Sequence, residues 1–263
     1  MTLTTLPFAL ERTIVIHARP ETVFSFFTDS ERWAKWWGAG SHIEPRKGGA
    51  VLIRYPNAVE AAGEVIEITP PTRLVFTYGY ANGQPIAAGA SRVTITLAPI
   101  DRGTRLTLHH AFADKAVREM HEAGWRYQLA LFANAVSDAL HAGAAAHIDA
   151  WFRLWGESDA ASREAQLPAF VAEGLVFRDR FSLIEGRAEL SPHIAASQRF
   201  MPGVALVREG AVRQCQGTVL ADWRASGADG RAMGTGTSVF ELDAEGRIVR
   251  VTGFWSAPSA PGS

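Results

Sequence analysis

Residues 114–141 read DKAVREMHEAGWRYQLALFANAVSDALH. The stretch holds no proline and one glycine, Gly124. Its large apolar side chains Trp125, Leu129, Phe132, Val136 and Leu140 recur at spacings of four, three, four and four. That period is helical and puts them on one stripe, so a long amphipathic helix is predicted. Upstream the period changes to two. Val51, Ile53 and Tyr55 share a strand face, as do Leu74, Phe76, Tyr78 and Tyr80, then Val93, Ile95 and Leu97, then Leu106, Leu108, His110 and Phe112. Pro70–Pro71, Asn82–Gly83 and Asp101–Gly103 separate these runs. A long helix after six or seven antiparallel strands has its apolar stripe to bury, and the concave face of the sheet is where it goes.

Further upstream, LERTIVIHA (10–18) has the Ile, Val and Thr content of a strand. Pro20 suits the first turn of a helix bearing Val23, Phe24, Phe26 and Phe27. Asp29 or Ser30 can cap a second short helix carrying Trp33, Trp36 and Trp37, which Gly38 ends. Downstream, the small-residue segment HAGAAAH (141–147) is the candidate joint between two domains. Helices are expected at 147–156, around 160–172 and at 187–200. Strands then follow near 204–208, 211–225, 231–242 and 247–256, with turns at Ala228–Gly230 and Asp243–Gly246. The second half thus reads as helices followed by a curved antiparallel sheet. Both halves are α+β without βαβ alternation, and they are not repeats of each other.

The chain has 263 residues, 47% of them hydrophobic, with 26 basic against 27 acidic side chains. Two domains suit that length. The near-zero balance argues against a nucleic-acid-binding domain, which normally carries a basic excess. The single cysteine, Cys215, has no internal partner, which fits a reducing compartment. No secretory signal or membrane-length apolar run is visible, so a cytoplasmic protein without membrane contact is expected.

Four stretches carry a resemblance: ARPETVFSFFTDSERWAKWWG (18–38), GEVIEITPPTRLVFTYGY (63–80), SRVTITLAPIDRGTRLTLHHAF (91–112) and HEAGWRYQLALFANAV (121–136). They resemble the START-like (SRPBCC) superfamily, in its branch akin to the activator of heat-shock protein 90 ATPase. Trp36 and Trp37 match that family's WWG signature. The resemblance implies a helix-grip fold over residues 8–142, whose last helix closes a cavity against a curved sheet. The second half, through HIDAWFRLWGESD (147–159), FVAEGLVFRDRFSLIEGRAELSPHI (170–194) and GTGTSVFELDAEGRIVRVTGFW (234–255), resembles the nuclear transport factor 2-like superfamily, particularly SnoaL-like polyketide cyclases and ketosteroid isomerases. A cone-shaped α+β barrel enclosing a pocket is implied for residues 143–257. A shared fold does not settle a reaction.

The second resemblance places the carboxylate base of an isomerase on Asp179. The positions of its two oxyanion donors fall on Trp151 and on or near Ser238, weak substitutes for a tyrosine and a protonated aspartate. Cyclase chemistry asks for less: an acid/base in an apolar pocket, which Asp179 with His193 can supply. The plainer alternative makes Asp179 a local cap flanked by Arg178 and Arg180, and His193 a satisfied histidine. In the first half, Tyr55, Tyr78, His110 and Trp125 are the candidate ligand-binding residues, with core filling as the alternative. His121-Glu122 starts like a zinc-protease helix but lacks the second histidine, and no metal or cofactor is expected.

These readings combine into a protein that binds a small apolar ligand, polyketide-like or aromatic, with cyclase or isomerase activity open for the C-terminal domain. The alternative is a non-enzymatic stress-response or chaperone-associated module. A homodimer through the C-terminal sheet is a further expectation, with Trp223 and Trp255 as anchors if that face exposes them.

Overall fold

The computed structural model describes residues 5–256. The expected domain end at 257 lies outside them. The chain divides into two compact units, one ending at Ser137 and the other beginning at Asp138. That division falls in the last turn of the long helix, a few residues before 141–147.

The first unit begins with β1 (Phe8–Ile16), α1 (Pro20–Ser25), α2 (Ser30–Trp37), β2 (His42–Ile43) and β3 (Ala50–Arg54). β4 (Glu60–Thr69), β5 (Arg73–Tyr78), β6 (Ser91–Ile100), β7 (Gly103–Phe112) and α3 (Lys115–Leu140) complete it. The strands form one antiparallel sheet ordered β1-β7-β6-β5-β4-β3-β2. The Asp29 carboxylate caps α2 by accepting from the backbone N–H groups of Glu31 (2.8 Å) and Arg32 (3.0 Å). α3 buries Trp125, Leu129, Phe132 and Val136, the stripe its period foretold. Phe132 stacks on Phe27 with ring centroids 4.7 Å apart and meets Trp36 edge-on at 4.9 Å. Phe27, just past α1, also meets Phe24 of α1 at 6.4 Å, so α1, α2 and α3 share one aromatic cluster, in which each pair adds about 0.5–1.5 kcal/mol beyond its buried area.

The second unit contains α4 (Ala144–Leu154), α5 (Ala160–Gln166), a 3₁₀ turn (Leu167–Ala169), β8 (Val171–Arg178), β9 (Leu183–Glu185) and α6 (Arg187–Phe200). Four long strands follow: β10 (Ala205–Cys215), β11 (Thr218–Ser226), β12 (Ala232–Leu242) and β13 (Ile248–Ser256). They form a sheet ordered β10-β11-β12-β13-β8-β9. Trp151, Phe152, Phe177 and Phe240 pack together in its core. Arg163, buried within the unit, donates to the carbonyls of Glu157 (2.7 Å) and Ser158 (3.1 Å) and to Ser191 Oγ (3.2 Å), tying α5 to α6.

Four expectations for this half are corrected. The helix expected over 160–172 stops at Gln166, because Pro168 has no N–H to carry the hydrogen-bond ladder onward. The strand expected over 211–225 is two strands. Gln216 (φ 49°) and Gly217 (φ 86°) form a two-residue turn between the paired Cys215 and Thr218, and two successive positive φ values suit a tight hairpin. The break expected near 209–210 is instead a bulge within one continuous strand, where the register shifts between Glu209 and Arg213 and Gly210 takes φ 67°. The sheet is mixed, not purely antiparallel: β8 lies parallel to β13, with α6 and the meander forming the connection between them.

Candidate functional site

A cavity of about 510 Å³ lies in the first unit. Its walls are aromatic: Trp37 from α2, Tyr55 just beyond β3, Tyr78 at the end of β5 and Trp125 from α3. Among its lining residues there is no Asp, Glu, Lys or Arg. Its remaining polar groups include the amides of Asn57, Asn82, Gln84 and Gln128. The Gln128 side chain donates to the Trp36 carbonyl, so that amide is already engaged.

The two phenols Tyr55 and Tyr78 are joined by a hydrogen bond, Oη to Oη, of 2.9 Å. Burial pushes the Tyr55 hydroxyl up to about 12 and raises Tyr78 further, so both are neutral phenols at physiological pH. Tyr78 also bonds with the Tyr80 hydroxyl, whose ring lies 5.7 Å from its own, so three phenols stand together on this cavity.

His110 lies behind this wall rather than on it. It is fully buried, and both ring nitrogens are engaged. Trp125 Nε1–H donates to Nδ1 over 2.9 Å. Because an indole N–H only donates, Nδ1 carries no proton, and the neutral ring presents Nε2–H to Ser91 Oγ at 2.8 Å. Ser91 in turn donates to the Tyr78 carbonyl over 2.8 Å. Burial, then the neighbouring His121 and His109, hold His110 well below the usual histidine range.

The histidine on the cavity wall is His121, one turn before Trp125. Its Nδ1 faces the Val117 carbonyl at 2.8 Å and must be the protonated nitrogen, leaving Nε2 as a bare acceptor. Among the described residues that buried Nε2 has no hydrogen-bond partner, and neither does the Nε1–H donor of Trp37. The other two indoles of α2 are satisfied: Trp33 donates to the Leu52 carbonyl (3.2 Å) and Trp36 to that of Phe26 (3.3 Å). The sequence carried a signal for His121, since it extends the Trp125 stripe by four residues.

In the second unit, Asp179, Trp151 and Ser238 are brought to one cavity, of about 50 Å³. Asp179 follows the last residue of β8 and closes a tight turn, its N–H donating to the Ser182 carbonyl over 3.0 Å. Its carboxylate accepts from the Phe181 N–H (2.8 Å) and from Trp255 Nε1 (3.2 Å). Ser238 Oγ accepts from Trp223 Nε1 over 3.0 Å. His193 on α6 does not line this cavity. Its Nε2 pairs with Ser182 Oγ at 2.9 Å, and Ser182 meets Asp179 through backbone hydrogen bonds. The expected anchor role of Trp223 and Trp255 is corrected. Trp223 is buried, its ring meets that of Trp255 at 4.7 Å, and both line the cavity instead of an outer face.

Among the described residues no group of three or more His, Cys, Asp or Glu side chains is placed to hold a metal ion. No helix among them is long and apolar enough to cross a membrane.

Residues 17–137 match the family model of the Activator of Hsp90 ATPase homolog 1-like protein. No curated protein matches the chain. Among solved structures, a proposed isomerase of the SnoaL-like family from Agrobacterium tumefaciens is 27% identical, covering 45% of this chain and 99% of its own, with a TM-score of 0.41. An AHSA1-like protein from Rhizobium etli is 29% identical over 49% of this chain and 81% of its own, with a TM-score of 0.40. The Aha1 dimer from Colwellia psychrerythraea is 19% identical over 51% and 96%, with a TM-score of 0.42. The family match and the seven-stranded sheet with its long closing helix agree: residues 17–137 form an AHSA1-like domain of the SRPBCC kind with the helix-grip fold, and a second α+β sheet unit follows it.

Proposed function

We propose that the first unit binds a small, flat, uncharged molecule bearing a hydroxyl or carbonyl group, of the aromatic or polyketide-like kind. The observation that carries this is a cavity of about 510 Å³ with aromatic walls and no charged lining residue. Ligand pockets typically enclose about 300–1,000 Å³. An anionic or cationic ligand placed there would lose its hydration without gaining a counter-charge. The phenols of Tyr55, Tyr78 and Tyr80 on its wall supply hydroxyl groups for a ligand oxygen. Domains of this family are typically ligand binders, which supports the same reading.

The test is fluorescence titration with two probes of one skeleton: uncharged phenylnaphthylamine and its anionic sulfonate, anilinonaphthalene sulfonate. The uncharged probe is expected to bind saturably and quench Trp37 and Trp125, at least about tenfold more tightly than the sulfonate. No saturable binding, or equal binding of both, overturns the reading. The chaperone-associated alternative predicts the first of those results.

A second reading concerns proton transfer in the C-terminal unit, with Asp179 and His193 as acid/base. Its support is the convergence of Asp179, Trp151 and Ser238 on one cavity. At about 50 Å³ that cavity is far smaller than a metabolite. Two of its lining residues, Phe181 and Trp255, meet edge-to-face with ring centroids 5.6 Å apart.

A further inference from the structure

Met120, Gly124, Tyr127 and Leu131 follow one face of α3 at spacings of four, three and four, and all four line the cavity of the first unit. Met120 and Tyr127 stand 63% and 67% exposed, so this face is the rim of the cavity and not its floor. Between them Gly124 leaves a gap one side chain wide. Glycine in a helix interior costs about 0.5–1 kcal/mol relative to alanine, and one of its uses is to meet a need for space where another group approaches the backbone. Elsewhere in this unit the need is plain: a Cβ at Gly63 would sit 1.7 Å from the Thr77 carbonyl oxygen, and one at Gly79 would sit 1.8 Å from that of Ala87. At Gly124 a Cβ would meet no other described residue within 4 Å, and the open space there adjoins the cavity.

We propose that Gly124 is the entrance of the ligand site: the ligand passes between Met120 and Tyr127 against the bare backbone of α3, and side-chain size at 124 limits what is admitted. This rests on the reading of the cavity as a site for an uncharged ligand. It adds a specificity-determining position that touches the ligand through backbone atoms alone.

The test is a size series, Gly124→Ala, Gly124→Leu and Gly124→Phe, in the full chain, followed by stopped-flow fluorescence with phenylnaphthylamine. The position is open to solvent, so all three variants are expected to keep or raise the Tm. Association is expected to slow progressively with side-chain size, by about tenfold or more for Gly124→Phe. A flat series, with wild-type rates and Kd throughout, overturns the role of Gly124 while leaving the cavity as a binding site. Absence of saturable binding by the wild type overturns the reading of the cavity, and the entrance with it.

Discussion

Trp125 donates its indole N–H to Nδ1 of His110 over 2.9 Å, and this one bond fixes the protonation state of a fully buried imidazole. A proton on Nδ1 would face the indole N–H head-on, so His110 accommodates charge only if the wall of the cavity opens. Burial acts in the same direction on His121.

A pH dependence of stability follows. Both histidines have folded-state values below the usual 6.5, whereas the unfolded chain protonates them near that value. Below about pH 6.5 the unfolded state therefore binds more protons, and stability falls as the pH drops. Each proton taken up on unfolding adds about 1.4 kcal/mol per pH unit to the slope. Urea unfolding between pH 5 and 7.5 should show the decline. His110→Asn keeps an acceptor for Trp125 but cannot titrate, and should flatten the slope by one proton's share. An unchanged slope would show that His110 does not remain neutral.

Trp125→Phe tests the bond itself. The ring is retained while the donor is lost, so Nδ1 of His110 is left unsatisfied in an apolar setting, at a cost of about 1–3 kcal/mol. Chemical denaturation measures this directly. Combined with His110→Leu, which removes the acceptor, in a double-mutant cycle, the two losses should be non-additive, since each variant removes the same hydrogen bond. Simple additivity would show that the two side chains act independently.

How far the sequence reveals this site depends on the kind of signal. The α3 stripe and the strand faces carrying Tyr55 and Tyr78 are repeats of 3.6 and two residues, and such periods survive folding because one face must be buried. His110 was legible as an inward residue on β7, but its depth behind Trp125 depends on neighbours 15 and 19 positions away. Asp179, Trp151 and Ser238 converge only because β8 pairs in parallel with β13, a long-range match that no local period encodes. Trp223 and Trp255 share a face because both stand opposite Gly236 in the register of β11, β12 and β13, and on the inward side their indole N–H groups meet oxygens of Ser238 and Asp179.

Gly63→Ala is expected to disturb the cavity from a distance. The added Cβ would lie 1.7 Å from the Thr77 carbonyl oxygen and 2.5 Å from its carbon, both backbone atoms, so β4 and the end of β5 must separate. Overpacking of this kind costs about 3 kcal/mol or more when backbone has to move. Tyr78 follows Thr77 directly, so loss of probe binding should accompany the lower Tm. A variant with wild-type Tm would show that β4 and β5 yield without strain.

Asp179→Asn distinguishes a cap from an acid/base in the C-terminal unit. The carboxylate accepts two hydrogen bonds, from the Phe181 N–H to Oδ1 and from Trp255 Nε1 to Oδ2. An asparagine offers one oxygen and an amide that only donates, so one of the two bonds is lost, at about 1 kcal/mol. If the oxygen stays with Phe181, Trp255 faces a donor and is released, and its emission should move to the red. Asp179→Ala forfeits both bonds and should cost roughly twice as much. A pure cap predicts only these stability changes. An acid/base at this position predicts in addition that deuterium exchange beside the carbonyl of a cyclic-ketone probe, measured by NMR, stops in Asp179→Asn while the fold persists. Exchange that continues at the wild-type rate would leave Asp179 with its capping role alone.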